Sequence, residues 1–281
     1  MITRKEISNL VSTLGLRDDV IEKDYVLGWL LWGIGSDPAL SAYWAFKGGT
    51  SLKKCYLDTL RFSEDLDFTV IPPGPYKPEE IEPLFVHILE RINDKSGINF
   101  FVKPPVFKFT SESQYTRGQI YYQGPRGDKR AASVKLDISG GEKIVRPTIL
   151  RKIYHSYSDK LPKPATVRCY VLEEVFAEKL RAMGERGRPR DLYDIIFLFK
   201  HKELNIHPKL IRSILAKKCE TKGVQIPTLK TVQDAPTKVE LISEWKNMLG
   251  HQLRDLPPFE QFWEELPNLF NWLKEGVEPL Q

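Results

Sequence analysis

The chain has 281 residues, of which 41% are hydrophobic and 28% charged, and this ordinary globular composition excludes global disorder. The one long apolar run, residues 25–35, has about half the length that a bilayer requires, so we expect no membrane partner. The N-terminus lacks the apolar core of a secretion signal, and the three cysteines are far apart. Both features predict a cytoplasmic protein. The net charge is +5, but residues 126–168 carry eleven basic and four acidic residues. This concentration of positive charge favours a polyanionic partner such as a nucleotide or RNA, and a solvated basic face is an equal alternative on charge alone.

The predicted elements are mixed up to residue 139 and helical from residue 172. Helical spacing of apolar residues predicts helices over the first 35 residues, and turn residues separate the strands that follow. Strands are predicted over residues 43–46, 66–71, 100–110, 119–123 and 131–139, and helices over 52–60, 79–93 and from 172 onward. The pattern predicts an α+β fold, a mixed sheet with flanking helices and a helical C-terminal part, divided into domains 1–165 and 166–281.

A glycine pair, Gly48 and Gly49, follows the first predicted strand and precedes a helix. Glycines let the backbone approach a phosphate closely, and the first turn of a helix supplies N–H donors. The alternative is an ordinary strand-to-helix turn with Thr50 or Ser51 as the N-cap residue, and the glycine pair alone favours it.

The next strand carries Asp65 and Asp67, separated by Leu66. Residues i and i+2 of a strand project from one face, so the two carboxylates lie side by side while Leu66 and Phe68 face the core. Adjacent carboxylates repel each other unless a cation lies between them, and Mg²⁺ takes such hard oxygen ligands together with water and substrate phosphates. We therefore predict a magnesium site here, and the alternative is an exposed strand end.

A third carboxylate, Asp137, lies in the predicted strand 131–139, in which apolar and polar residues alternate. It would complete a two-metal site of the kind that holds the attacking and leaving oxygens in phosphoryl transfer. A cross-strand ion pair is the alternative role of Asp137.

Lys179 lies on the apolar stripe of a predicted helix over residues 171–183. A lysine there must extend past the helix edge, pair with an anion or change its pKa, and we predict that it reaches triphosphate oxygens. Asp191 would complement the dipole of the next helix, while Asp194, one turn further in, is placed to orient Lys179 or to accept a proton. The loop between the helices is suited to phosphate binding because it carries Arg186, Arg188 and Arg190.

Four motifs resemble, in the same order, those of the AbiEii/AbiGii toxin family within the DNA polymerase β-like nucleotidyltransferase superfamily. Residues 48–52 with 61–68 are similar to motif I, and residues 135–139, 178–182 and 189–194 to motifs II, III and IV. The N-terminal segment 22–27, Glu-Lys-Asp-Tyr-Val-Leu, is also similar to family members. The resemblance covers roughly residues 20–200.

The resemblance implies a nucleotidyltransferase fold and a toxin that takes part in a toxin–antitoxin or abortive-infection, phage-defence system. Members bind a nucleoside triphosphate with Mg²⁺, and some transfer nucleotides to the acceptor end of tRNA, so a nucleoside triphosphate, RNA and a cognate antitoxin are the implied partners. By the resemblance, Asp65 and Asp67 are catalytic metal ligands, Lys179 contacts the triphosphate, and Asp191 or Asp194 is the essential late acid. Asp137 is a further metal ligand from its place on the predicted strand. The resemblance also implies that Gly48, Gly49 and Ser51 line the phosphates and that Ser63 occupies a hydroxyl position of motif I. The candidate nucleotide-binding residues further include Thr50, Lys135, Arg188 and Arg190.

Three other functions remain open from the sequence. The acceptor of the nucleotide could be a small molecule or a protein, although the basic middle segment favours RNA. The chain could also be a non-catalytic partner protein that retains the fold, although both aspartates and Lys179 are present. A glycosyltransferase that uses the Asp-x-Asp pair would leave the glycine and lysine motifs unexplained.

Overall fold

A computed structural model of the protein describes residues 1–58 and 60–275. The chain divides into two compact units: the first comprises Met1–Ile144 and Thr148–Tyr170, and the second comprises Val145–Pro147 and the chain from Val171 onward. The last strand of the sheet begins at Thr166, directly after the predicted division at residue 165, and it belongs to the first unit.

The first unit contains a seven-stranded mixed sheet with helices, which confirms the predicted α+β class. Its helices are α1 (Arg4–Leu14), α2 (Asp18–Gly35), α3 (Pro38–Ser41), α4 (Gly48–Ser51) and α5 (Pro78–Ser96). Its strands are β1 (Trp44–Lys47), β2 (Asp65–Val70), β3 (Val106–Thr110), β4 (Tyr115–Tyr122), β5 (Ala132–Ser139), β6 (Ile149–Lys152) and β7 (Thr166–Cys169). The strand order is β3-β4-β5-β2-β1-β7-β6, with parallel pairs at β5–β2 and β1–β7.

One face of the sheet forms the core of the first unit. Leu66 and Phe68 on β2 are buried, and Leu66 pairs with Leu136 on β5 across the parallel ladder. Helix α5 covers this face, since the Phe85 ring lies 5.1 Å from the ring of Phe107 on β3. Because side chains alternate along a strand, the residues between these apolar positions project from the opposite face.

The predicted helix over residues 52–60 begins as expected, but it ends at Tyr56 and is not α-helical. A single π-helical turn, Leu52–Tyr56, follows α4 instead, and Thr59 lies outside the described residues. The wider turn brings both lysines of this segment to buried positions, where Lys54 pairs with Asp24 and Lys53 with Asp58. Asp24 is thirty residues from Lys54, and Asp58 is five residues from Lys53. Neither spacing belongs to the pattern of an α-helix, so the periodicity of the sequence could not reveal the π-helical turn.

Strands β6 and β7 were not predicted. Each has four residues, which is too short for an alternation to be distinguished from chance. They form because β7 pairs in parallel with β1 at Phe46 and then supports β6 as an antiparallel edge strand. The contact between β1 and β7 joins segments far apart in the chain, so no local pattern reveals it.

The second unit is helical, as predicted for the chain from residue 172. Glu174 in its first helix is buried and accepts hydrogen bonds from the backbone N–H groups of Val145 (2.8 Å) and Arg146 (2.9 Å). These bonds explain why the short segment Val145–Pro147 belongs to this unit. Its helices are α6 (Leu172–Glu185), α7 (Pro189–Lys200), α8 (Pro208–Lys222), α9 (Leu229–Gln233), α10 (Lys238–Leu249), α11 (Phe259–Trp263) and α12 (Leu266–Lys274).

Within residues 1–58 and 60–275, none of the helices has the length and the apolar character needed to cross a membrane.

A partly buried histidine predicts acid sensitivity of the first unit. His155 packs between Tyr25, Trp29 and Tyr157, and burial lowers its pKa to about 4, with the Lys54 ammonium adding to the effect. The unfolded chain binds this proton below pH 6.5 or so, while the folded chain does not until about pH 4, so stability falls across that window. We expect the wild type to lose about 3 kcal/mol more than His155→Gln between pH 7 and pH 4.

Urea unfolding of both proteins at the two pH values measures this difference. His87→Gln is the matched control, because His87 is exposed on α5. An equal pH dependence of the wild type and His155→Gln would contradict the assignment.

Candidate active site

The two aspartates of β2 project together from the face opposite the core. Asp65 and Asp67 are both partly exposed, and they flank the buried Leu66. In the parallel ladder to β5, Asp65 lies opposite Lys135, and Asp67 lies opposite Asp137. The register therefore brings the three predicted carboxylates to one face, with Asp67 and Asp137 on directly neighbouring strands.

Cations stand at both ends of this pair of carboxylates. Lys47 on β1 lies opposite Asp67, and Arg117 on β4 lies opposite Asp137 with 3.6 Å between Arg117 Nε and Asp137 Oδ1. We call Lys47, Asp67, Asp137 and Arg117 the charged row. Like charges directly opposite one another destabilise a sheet, and the flanking cations reduce that repulsion.

Lys47, Arg117 and Glu142 were missed as site residues. Glu142 forms an ion pair with Lys47 and accepts a hydrogen bond from Thr69. The one available sequence signal was the position of Lys47 immediately before the glycine pair. Arg117 and Glu142 reach the site through strand register and chain folding, which no local pattern reveals.

The first glycine of the pair lies directly against an aspartate. Gly48 has a φ of +77°, and a Cβ atom at this position would overlap Asp67 Oδ2. Only glycine therefore permits both this backbone conformation and this close approach. A Cβ at Gly49 would lie 2.8 Å from Nη2 of the buried Arg61 and 3.3 Å from Ser63 Oγ, so the second glycine brings the loop before β2 close to the turn.

The hydroxyl groups of the turn donate to the backbone. Thr50 donates a hydrogen bond to the carbonyl oxygen of Asp65, and Ser51 donates to the carbonyl oxygen of Gly48 at 2.8 Å. Both residues are buried. The Thr50 bond fixes the glycine turn to the strand of the aspartates, and the Ser51 bond lies within the turn. Phosphate contacts by Thr50 and Ser51 remain a prediction.

Alanine at position 48 tests the contact between the turn and the carboxylate. We expect Gly48→Ala to lower the activity of this site by roughly 10²-fold, because displacement of a reacting group by about 1 Å has an effect of that order. Gly97→Ala is the matched control, since Gly97 has a φ of +75° and its Cβ would meet nothing nearer than 3.9 Å. Both variants carry the same conformational cost of about 1–2 kcal/mol, so equal activities would exclude the steric argument.

In the second unit, Lys179 on α6 is held by two carboxylates of α7. Its Nζ lies 2.8 Å from Asp194 Oδ2 and 3.2 Å from Asp191 Oδ1. Asp191 also accepts hydrogen bonds from Arg186, at 3.0 Å from Nε. Pairing with anions is thus how Lys179 is accommodated on an apolar stripe, and the structure places Asp194 to orient it.

The remaining predicted residues lie at the surface or near it. Lys135 is exposed on β5, and Ser63 is partly exposed in the loop before β2. In the second unit, Arg188 is exposed before α7, and Arg190 is partly buried in its first turn. The structure brings Asp65, Asp67, Asp137, Gly48, Gly49 and Lys135 together within the first unit, and Lys179, Asp191 and Asp194 together within the second.

The carboxylates of the first unit suit a magnesium ion. Asp65 and Asp67 offer hard oxygen ligands on one face, and Asp137 Oδ1 is a buried oxygen that accepts no hydrogen bond. The Asp137 oxygen also lies in the ion pair with Arg117, at 3.6 Å from its Nε. Across the described part of the chain, no group of three or more His, Cys, Asp or Glu side chains is arranged to hold a metal ion. The donor set therefore fits Mg²⁺ that takes its other ligands from water and phosphate, and Asp137 remains a predicted third ligand.

Comparison with known proteins adds two findings. The sequence model of the family described as "Nucleotidyl transferase AbiEii toxin, Type IV TA system" matches residues 29–265. The fold is similar to that of MenT4, a nucleotidyltransferase toxin from Mycobacterium tuberculosis H37Rv, with a TM-score of 0.62 and 21% sequence identity over 99% of this chain and 91% of that chain. A search of curated proteins by sequence finds no match.

Proposed function

Because the chain belongs to the AbiEii nucleotidyltransferase toxin family, as its motifs predicted, we propose that it transfers a nucleoside monophosphate from a nucleoside triphosphate to RNA, specifically tRNA, with Mg²⁺ as cofactor. The contact between Gly48 and Asp67 carries the proposal, because it joins a glycine turn to an aspartate pair. Such an enzyme would inhibit growth in a toxin–antitoxin or phage-defence system, with a cognate antitoxin as its partner.

In the proposed reaction, an acceptor hydroxyl attacks the α-phosphorus in line, its proton passes to solvent, and the bond to the leaving pyrophosphate breaks. Asp65 and Asp67 would hold Mg²⁺, which supplies charge neutralisation at the phosphates. The turn at Gly48 and Gly49 would position the nucleotide, and Lys47 adds a cation beside Asp67. Most of the rate acceleration then comes from positioning and electrostatics.

The charge distribution favours RNA as the acceptor. The basic segment 126–168 includes β5, β6 and most of β7, so it contributes to the same sheet as Asp65 and Asp67. RNA that binds to such a basic segment releases its counterions, which favours binding. A small neutral acceptor has no counterions to release and gains no binding free energy from the positive charge.

The test is incubation of purified protein with each α-³²P-labelled nucleoside triphosphate, Mg²⁺ and total bacterial RNA, with Asp67→Ala as the parallel reaction. We expect label in a tRNA-sized band with the wild type alone, and the labelled nucleotide identifies the preferred base. Label on a protein or a small molecule would refute the RNA acceptor. No label together with no nucleotide binding would refute the enzyme and favour a non-catalytic partner protein.

A further inference from the structure

Part of the sheet in the first unit presents lysines, arginine and tyrosines outward. Along β4, buried positions alternate with outward positions that are exposed or partly exposed. The same alternation holds along β3 and β5 except at the partly exposed Phe109 and Ala132. Lys103, just before β3, is also exposed and extends over the Tyr121 ring, with its Nζ 4.1 Å from the ring centroid. We call the following residues the tyrosine–lysine face: Lys103, Lys108, Tyr115, Arg117, Tyr121 and Lys135.

The charge of this face is predominantly positive. Among the outward positions of β3, β4 and β5, Asp137 is the one acidic residue, and Arg117 lies 3.6 Å from it. Lys108 and Lys135 are both exposed. The two tyrosines offer partly exposed rings between these cations, and a positive surface with interspersed aromatic rings is typical of proteins that bind single-stranded nucleic acid.

Strand register makes this face continuous with the aspartates. Lys108 on β3 lies opposite Arg117, and Arg117 opposite Asp137, which in turn lies opposite Asp67. The three strand spacings from β3 to β2 amount to about 14 Å. At about 3.4 Å per stacked nucleotide, this distance corresponds to roughly four nucleotides.

We propose that the tyrosine–lysine face binds the single-stranded end of the RNA acceptor and directs its terminal hydroxyl towards Asp65 and Asp67, an inference that rests on the proposed RNA acceptor. Lys103, Lys108 and Arg117 contact phosphates, and Tyr121 stacks on a base. Charge complementarity selects a polyanion, and the aromatic rings select one that carries bases.

The test measures binding without chemistry. A fluorescein-labelled single-stranded oligoribonucleotide of about eight nucleotides is titrated with protein in the absence of nucleoside triphosphate, and anisotropy is followed over a range of salt concentrations. We expect Lys103→Glu/Lys108→Glu to weaken binding by more than about tenfold and to reduce the salt dependence of log K by about 0.7 per lysine. Tyr121→Ala weakens binding by about tenfold, whereas Tyr121→Phe, which keeps the ring, binds as the wild type does.

The control variant is Lys77→Glu/Lys95→Glu. Both lysines are exposed, and they lie at the two ends of α5, which covers the opposite face of the sheet. It makes the same change in net charge, so it separates local contacts from a general loss of positive charge. Thermal unfolding and nucleotide binding show whether each variant remains folded.

The outcomes separate this inference from the proposed function. If the wild type binds RNA and the face variants bind it as the control does, the inference is wrong, whereas the proposal of an RNA acceptor stands. The role of Lys108 would then be to keep the edge strand β3 from pairing with another chain. If polyphosphate of equal charge competes as well as RNA and Tyr121→Ala has no effect, the face is a general anion surface and the inference is again wrong. If the wild type binds no RNA at low salt and labels none, both proposals fail.

Discussion

Asparagine in place of Asp67 lowers the rate of nucleotidyl transfer by a factor of about 10³ or more, since loss of a metal ligand removes several kcal/mol of transition-state stabilisation. Asp67 is the aspartate that contacts the turn at Gly48 and lies opposite both Lys47 and Asp137. In the described part of the chain, Asp67 alone lies next to all three of Gly48, Lys47 and Asp137. Asparagine keeps the shape of the side chain but removes its charge, so the fold remains intact, and Lys47 retains its ion pair with Glu142.

Two measurements test this prediction. The transfer assay gives the rate, and electron paramagnetic resonance of bound Mn²⁺ reports metal binding independently of activity. Asp94→Asn is the control, because Asp94 is exposed on α5, away from the face of the aspartates. Wild-type metal binding and transfer by Asp67→Asn would exclude Asp67 as a ligand.

Alanine in place of Asp24 lowers the free energy of unfolding by about 3–5 kcal/mol, the usual cost of breaking a buried ion pair from one side. Asp24 Oδ2 lies 2.5 Å from Lys54 Nζ and accepts a hydrogen bond from Tyr157 at 2.8 Å. Both charged side chains are almost fully buried, at 7% and 2% exposure. Removal of the carboxylate leaves the Lys54 ammonium buried without its counter-ion.

A double variant separates the cost of an unpaired charge from the net contribution of the pair. We expect Asp24→Leu/Lys54→Met to recover much of the lost stability, because apolar residues of similar volume often replace a buried pair without loss. Asp19→Ala is the control in the same helix, since the Arg17–Asp19 pair is exposed and contributes about 1 kcal/mol or less. Chemical denaturation gives all four values, and a double variant as unstable as Asp24→Ala would contradict this account.

The N-terminal segment that contains Asp24 fixes three separate parts of the first unit. Glu22 accepts a hydrogen bond from the backbone N–H of Arg126 at 2.7 Å, and Lys23 pairs with Glu64 at 3.0 Å. Asp24 pairs with Lys54 in the π-helical turn. One turn of α2 therefore supports the loop before the aspartates and the segment after the glycine turn, which gives a physical reason for this sequence motif.

Much of the candidate site was predictable because its signals are local. The alternation around Leu66 and Phe68 predicted that Asp65 and Asp67 share a face, and the glycine pair predicted a tight turn. Asp194 was predicted as a partner for Lys179, and the structure shows that contact. Local geometry also failed where a distant partner decided the outcome, as in the π-helical turn that buries Lys54 against Asp24.

The motifs identified the family, and periodicity over a few residues predicted the α+β class, the helical second part and the strand that carries the aspartates. The tertiary structure alone decided strand order and register, and hence the charged row that places Lys47 and Arg117 beside the carboxylates. It also decided the close contact of Gly48 with Asp67 and the continuity of the tyrosine–lysine face with the site. These features depend on which distant segments pair with one another. The pairing is decided by burial of the apolar residues of all the strands on one face of the sheet, and no local pattern specifies it.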